Sequence, residues 1–266
     1  MFPLALAHLT ALDLPPPALV QAAAKAGFAK VGLRLHPAAP GAIEYYSVPG
    51  TPDFAELKAV LDGEGIRIHD IEIVSIGPGF AATDYLYLLE AGQALGAATL
   101  NVSGDDEDRS RLTDNFAALC EQARTFAMRV DLEFMRWRAI GTLEQSAEIV
   151  TDANAGNGRI LLDALHLFRS GGSIETLKSI DRSLIGSIQL CDGRGPIPSG
   201  DEAVIFEARQ NRFAPGDGEL PLKELVEHLA DLQGLQWGVE TPMLDTPAPD
   251  CIARGHAGAS VLLGRF

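Results

Sequence analysis

Short apolar runs alternate with amphipathic helical stretches along the whole chain, and this alternation restricts the fold more than any other feature. The pattern predicts strands over 4–8, 30–35, 67–76, 98–103, 130–134, 159–165, 184–190 and 235–241. Between them, apolar residues at helical spacing predict helices over 18–26, 52–63, 84–95, 109–128, 143–153, 173–180, 221–232 and 250–263. Pro15, Pro16 and Pro17 open the first helix, where a missing N–H costs nothing, and Gly27 closes it. From the end of the seventh strand to about Gly218 the chain reads as irregular. Eight buried-type strands, each followed by a helix, predict a single α/β domain over 1–266, a (β/α)8 TIM barrel. The 266 residues match the roughly 250 such a barrel needs. An open doubly wound sheet would carry a Gly-rich phosphate turn after its first strand, and Ala7-His8-Leu9-Thr10 is not one.

Four of the strands end in a polar side chain: Glu133 in Val-Asp-Leu-Glu-Phe, Asp163 in Ile-Leu-Leu-Asp-Ala-Leu-His, Gln189 in Gly-Ser-Ile-Gln-Leu-Cys-Asp, and Glu240 in Gln-Trp-Gly-Val-Glu-Thr-Pro. Alternate barrel residues point inward, so apolar neighbours facing the helices leave these four facing the lumen. Barrel enzymes keep their sites at the C-terminal ends of their strands. Three carboxylates gathered there repel one another unless a cation joins them. A set of three carboxylates and one amide oxygen is hard, favouring Mn²⁺ or Mg²⁺, with Zn²⁺ or Co²⁺ as alternatives. The competing interpretation is four unrelated strand-end charges, solvated or ion-paired.

Further polar residues flank this set. His166 follows Asp163 by three and is read as a substrate contact or proton shuttle, or else as a cap on its loop. Asp192 follows Gln189 by three and either orients a ligand or substrate hydroxyl or shapes the turn before Gly193. Arg209 and Arg212, ahead of a Pro-Gly turn, would grip a substrate carboxylate or phosphate, or pair with acids. His8 reads as a satisfied core histidine; whether Arg34 and Glu72 face inward is open.

The net charge of −15 argues against nucleic acid and anionic membranes as partners. No apolar run approaches a membrane span, and the apolar N-terminus lacks the basic start of a signal peptide. Three scattered cysteines form neither a disulfide framework nor a zinc cluster and suit a reducing cytoplasm. A homo-oligomer is compatible with the sequence, which specifies no contact.

On these residues the chain resembles the xylose isomerase-like TIM-barrel superfamily of sugar phosphate isomerases and epimerases. Glu133 matches the family's strand-five Glu, Asp163 with His166 its Asp-x-x-His, and Glu240 its strand-eight Glu. Arg-x-x-Arg-Phe-x-Pro-Gly-Asp-Gly-Glu looks like its loop after strand seven. Gln189, with Asp192, occupies the position of the family's His-x-x-Asp, and Cys191 stands where a Lys is common. The resemblance implies one divalent metal on Glu133, Asp163, Gln189 and Glu240, with Glu133 and Glu240 shuttling a proton beside a carbonyl and His166 near the substrate oxygen. The implied activity is isomerase or epimerase on a small carbohydrate-like ketone. A dehydratase of an inosose- or dehydroshikimate-like compound is the alternative, and a non-catalytic ligand-binding barrel the second. The superfamily's DNA endonucleases use a more His-rich, multi-metal site than six scattered histidines supply.

Overall fold

The computed structural model describes residues 2–39 and 41–266. Its eight strands are β1 (Leu4–Leu6), β2 (Lys30–Arg34), β3 (Arg67–Ile76), β4 (Thr99–Gly104), β5 (Arg129–Glu133), β6 (Gly158–Asp163), β7 (Ile185–Leu190) and β8 (Gln236–Val239). They pair in parallel and in chain order, and β8 closes on β1, which makes the protein a (β/α)8 TIM barrel. Around it run α1 (Pro16–Ala26), α2 (Pro52–Glu64), α3 (Leu86–Leu95), α4 (Arg109–Thr125), α5 (Leu143–Ala153), α6 (Ala164–Arg169), α7 (Ile174–Ser179), α8 (Asp201–Gln210), α9 (Leu222–Leu229) and α10 (Ala248–Leu263).

Local chemistry sets the helix ends. Thr51 and Asp108 cap α2 and α4 with side-chain oxygens, and Thr142 with Gln145 forms a capping box on α5. The main core lies between barrel and helices, where Leu33, Leu100, Leu132, Leu162, Ile188 and Val239 are fully buried. Each such side chain contributes about 2 kcal/mol through removal from water.

The barrel lumen is polar, unlike the branched aliphatic layers usual in this architecture. Lys30 reaches Gln236 at one end. Arg129 holds Asp131 at 2.6 Å, and Ser187 donates to the same carboxylate at 2.6 Å. Higher up, Asn101 donates to Asp70 at 2.8 Å and Arg34 pairs with Glu72 at 2.9 Å. Arg34 and Glu72 therefore both face inward. His8 is buried with both ring nitrogens engaged: Nδ1 accepts from the Arg34 amide at 2.9 Å, and Nε2 lies 2.9 Å from the Leu14 carbonyl. Gly32 makes room for this lumen, since a Cβ there would lie 2.1 Å from Asp70 Oδ1.

The elements depart from the sequence expectation most in three places, while the eighth strand stops at Val239, short of Glu240, and α4 stops at Thr125. The sixth strand stops at Asp163, because that side chain accepts from the His166 amide at 2.9 Å and caps α6. The segment read as irregular contains α8, whose Glu207 is gripped by Arg169 through both oxygens at 2.7 Å. Its signal was present: Asp201 and Glu202 in the first turn, with buried Val204 and Ala208 one turn apart. The first strand ends at Leu6 and His8 begins a 3-10 turn to Ala11.

Candidate active site

Glu133 is the last residue of β5 and Asp163 the last of β6. Gln189 is one residue from the end of β7, and Glu240 follows β8 directly. Asp163 sits opposite Gln189 in the sheet, and Gln189 opposite Gly238, so the register places these ends side by side. All four side chains are buried. Gln189 Nε2 donates to Glu240 Oε1 at 3.3 Å. Glu133, His166, Arg209, Arg212 and Glu240 line a cavity of about 550 Å³, with Asp163 and Gln189 outside that lining.

A guanidinium is the resident cation of this cluster. Arg212, buried, holds Asp163 Oδ2 at 2.5 Å and Glu240 Oε2 at 2.7 Å. Its Nε donates to the Ala208 carbonyl at 2.6 Å, and Nη1 lies 3.2 Å from Cys191 Sγ. Arg212 is thus paired with two buried acids, the second of the options its sequence position left open. The loop that carries it is pinned by Asp192: the carboxylate accepts from the Gly193 amide at 2.9 Å and from the Gly216 and Leu220 amides at 3.0 Å. Asp192 lies outside the cavity lining and has the turn-shaping geometry.

Electrostatics separate the acids. Burial pushes the Glu240 carboxyl up to about 7 against the opposing pull of Arg212. Burial, and then the Glu240 charge, raise Glu133 well above the carboxylate range. Burial acts upward on Asp163 too, but Arg212, His166 and their hydrogen bonds overcome it and leave it lowered. Burial lowers His166 to about 4, so its imidazole is neutral at pH 7. His166 Nε2 lies 3.5 Å from Glu133 Oε1, and the Trp137 ring packs edge-on against it at 5.3 Å.

The donor set suits a divalent cation on two counts. One donor atom from each of Glu133, Asp163 and His166 lies within 4.8 Å of the other two. Gln189 Oε1 is buried with no hydrogen-bond partner among the described residues, an orphaned acceptor of the sort a cation relieves. His166 enters this set although its spacing marked it as a substrate contact; as the third residue after the α6 cap it folds back over Asp163.

The sequence profile of the xylose isomerase-like TIM barrel family matches residues 20–257. The chain belongs to that family. Within it, the chain is 28% identical to the inosose isomerase of Bacillus subtilis over 130 residues, 48% of this chain and 44% of that protein. It is 27% identical to the 3-dehydroshikimate dehydratase of Pseudomonas aeruginosa over 135 residues, 50% of this chain and 21% of the dehydratase. The matched stretch thus spans less than half of either curated relative. Among solved structures, an IolI protein crystallised with a zinc atom superposes with a TM-score of 0.78 at 17% identity, over 100% of this chain and 99% of that one. That likeness is one of fold. No helix among the described residues is long and apolar enough to cross a membrane.

Proposed function

We propose that this xylose isomerase-like barrel is a divalent-metal-dependent isomerase or epimerase of a small hydroxylated ketone, moving a proton at the carbon beside the carbonyl. Glu133 carries the reading. It is a buried carboxylate lining the cavity, with no arginine in ion-pair distance among the described residues and a neutral His166 at 3.5 Å. A buried base with a raised pKa is matched to removing a carbon-bound proton. His166 would hold or deliver a proton at the substrate oxygen. Glu240, with a pKa of about 7, is the group that returns the proton to carbon.

Glu133, Asp163, Gln189 and Glu240 would hold the metal, Mn²⁺ or Mg²⁺ by the hardness of the oxygens, with His166 as an added donor. When bound, such a cation polarises the carbonyl and makes the neighbouring C–H more acidic. Arg212 keeps Asp163 ionised and, by pairing with both carboxylates, fixes Asp163 and Glu240 side by side. The substrate is a small molecule; nucleic acid and membrane are excluded from the proposal by the charge of −15.

Loss of water from the same ketone is the second reading, and the state of Glu240 favours it. Both its oxygens are engaged, one by Arg212 and one by Gln189, which leaves Glu133 as the free base. Elimination needs one base and one acid, and Glu133 with His166 would supply them. The test is solvent deuterium exchange with keto-sugars and cyclic hydroxyketones in the presence of Mn²⁺. Deuterium is expected beside the carbonyl of one substrate, with the rate reduced about a thousandfold in Glu133→Gln. Exchange unaltered in that variant would remove Glu133 as the base. A ketone recovered as an isomer separates the first reading from one recovered as its dehydrated product.

A further inference from the structure

One cationic side chain of the cavity has no ion-pair partner among the described residues. Arg209, near the C-terminal end of α8, lies at the exposed rim of the lining. The other arginines there are each answered by an acid: Arg34 by Glu72, Arg138 by Asp105, and Arg212 by Asp163 and Glu240. Arg209 has no acid within ion-pair distance among the described residues, although the exposed Asp13 and Asp245 also line the cavity. Its charged neighbours are like-charged: burial, then Arg138 and Arg34, lower its pKa. Three buried donors of lining residues also lack acceptors among the described residues: Arg34 Nε, Arg138 Nε and Trp137 Nε1. A buried donor without a partner costs about 1–3 kcal/mol. In a chain of net charge −15, an exposed guanidinium at the cavity rim, unpaired among the described residues, selects an anion.

We infer that the ketone taken by this site carries a carboxylate, gripped by Arg209 at the cavity rim beside the loop that holds Trp137 and Arg138. The inference rests on the proposed proton-transfer reading for where the ketone sits. A carboxylate fits better than a phosphate because one guanidinium is uncompensated, and a phosphate monoester carries nearly two charges at pH 7. Two carboxylate oxygens also match the guanidinium fork.

Calorimetric binding to the full chain with Mn²⁺ tests this using three probes: 3-dehydroshikimate, a cyclic ketone with a carboxylate; an inosose, a cyclic ketone without charge; and fructose 6-phosphate. 3-Dehydroshikimate is expected to bind at least about tenfold more tightly than the inosose. Arg209→Ala should erase that preference and Arg209→Lys keep part of it, with both variants melting as the parent does. Tighter binding of the inosose or the phosphate, a preference that survives Arg209→Ala, or no binding of 3-dehydroshikimate would each overturn the inference. Deuterium exchange in the same samples separates the two readings. Exchange into the inosose but not 3-dehydroshikimate sinks the carboxylate site and leaves proton transfer standing. Arg209-dependent binding of the carboxylate with no exchange upholds the site and sinks proton transfer.

Discussion

Arg212 is where single side chains matter most. Its fork joins two acids contributed by different strands, so removing it leaves Asp163 and Glu240 buried with no positive partner. Breaking a buried ion pair from one side costs about 3–5 kcal/mol. Arg212→Met is therefore expected to lose about that much stability in urea unfolding with chelator present, and to regain more from added Mn²⁺ than the parent does. Arg212→Lys keeps the charge but lacks the planar fork, and should recover only part of the loss. A parent-like midpoint for Arg212→Met would show that the two acids do not depend on it. The sequence offered Arg212 two roles, substrate anchor and partner of acids, because nothing in an Arg-x-x-Arg spacing states which way the second guanidinium turns. His166 is a similar case: its distance from Asp163 was readable, but its approach to Glu133 depends on α6 starting directly after the strand.

At the scale of elements, the loop after β7 is organised by one carboxylate. Asp192 accepts three amides, and Phe213 and Asp192 exchange a pair of backbone bonds at 2.9 Å and 2.8 Å. The Arg212 amide in turn donates to the Pro242 carbonyl at 2.9 Å, so the loop after β7 is tied to the one after β8. Asp192→Ala is expected to cost roughly 3 kcal/mol, since bonds to a charged acceptor are worth about 1.5–3 kcal/mol each and water replaces part of the loss. Hydrogen exchange should speed up at Gly193, Gly216 and Leu220 together, and unchanged protection there would refute the clamp. Gly218 checks it independently, because a Cβ there would lie 2.3 Å from Asp192 Oδ1 and 2.5 Å from the Gly193 carbonyl. Gly218→Ala should therefore weaken the same three amides. Strand positions were largely legible because a two-residue period and a polar end survive in the sequence; α8 was not, because Pro196, Pro198 and the surrounding glycines obscure where it begins.

For the whole molecule, the buried acids tie stability to pH. The folded Glu240 carboxyl stands near 7, above its unfolded value of about 4.3. A raised folded pKa means that the folded state holds the proton more tightly, so this contribution is full below about pH 4.3 and is lost as pH rises to about 7. Glu133 is raised for the same reason and acts in the same direction. Asp163 is lowered, so its contribution runs the other way and is lost only in acid. Chelator-treated protein should show a melting temperature that falls between about pH 5 and 7, and Mn²⁺ should raise it most above pH 7, where proton competition ends. A melting temperature flat across that range, or Mn²⁺ stabilisation greatest in acid, would contradict the assignment.

The sequence by itself determined the architecture and the level at which polar groups emerge. Both follow from local periodicity: apolar faces must be buried, and a polar residue closing a strand whose neighbours are apolar is left facing the lumen. Glu133, Asp163, Gln189 and Glu240 were legible for that reason. Which charges pair was decided only by the closed barrel, where residues dozens of positions apart come within bonding distance. Arg34 with Glu72, Arg212 with Asp163 and Glu240, and Arg209 with no acid in ion-pair distance among the described residues are outcomes of register and loop path, and no local pattern encodes them.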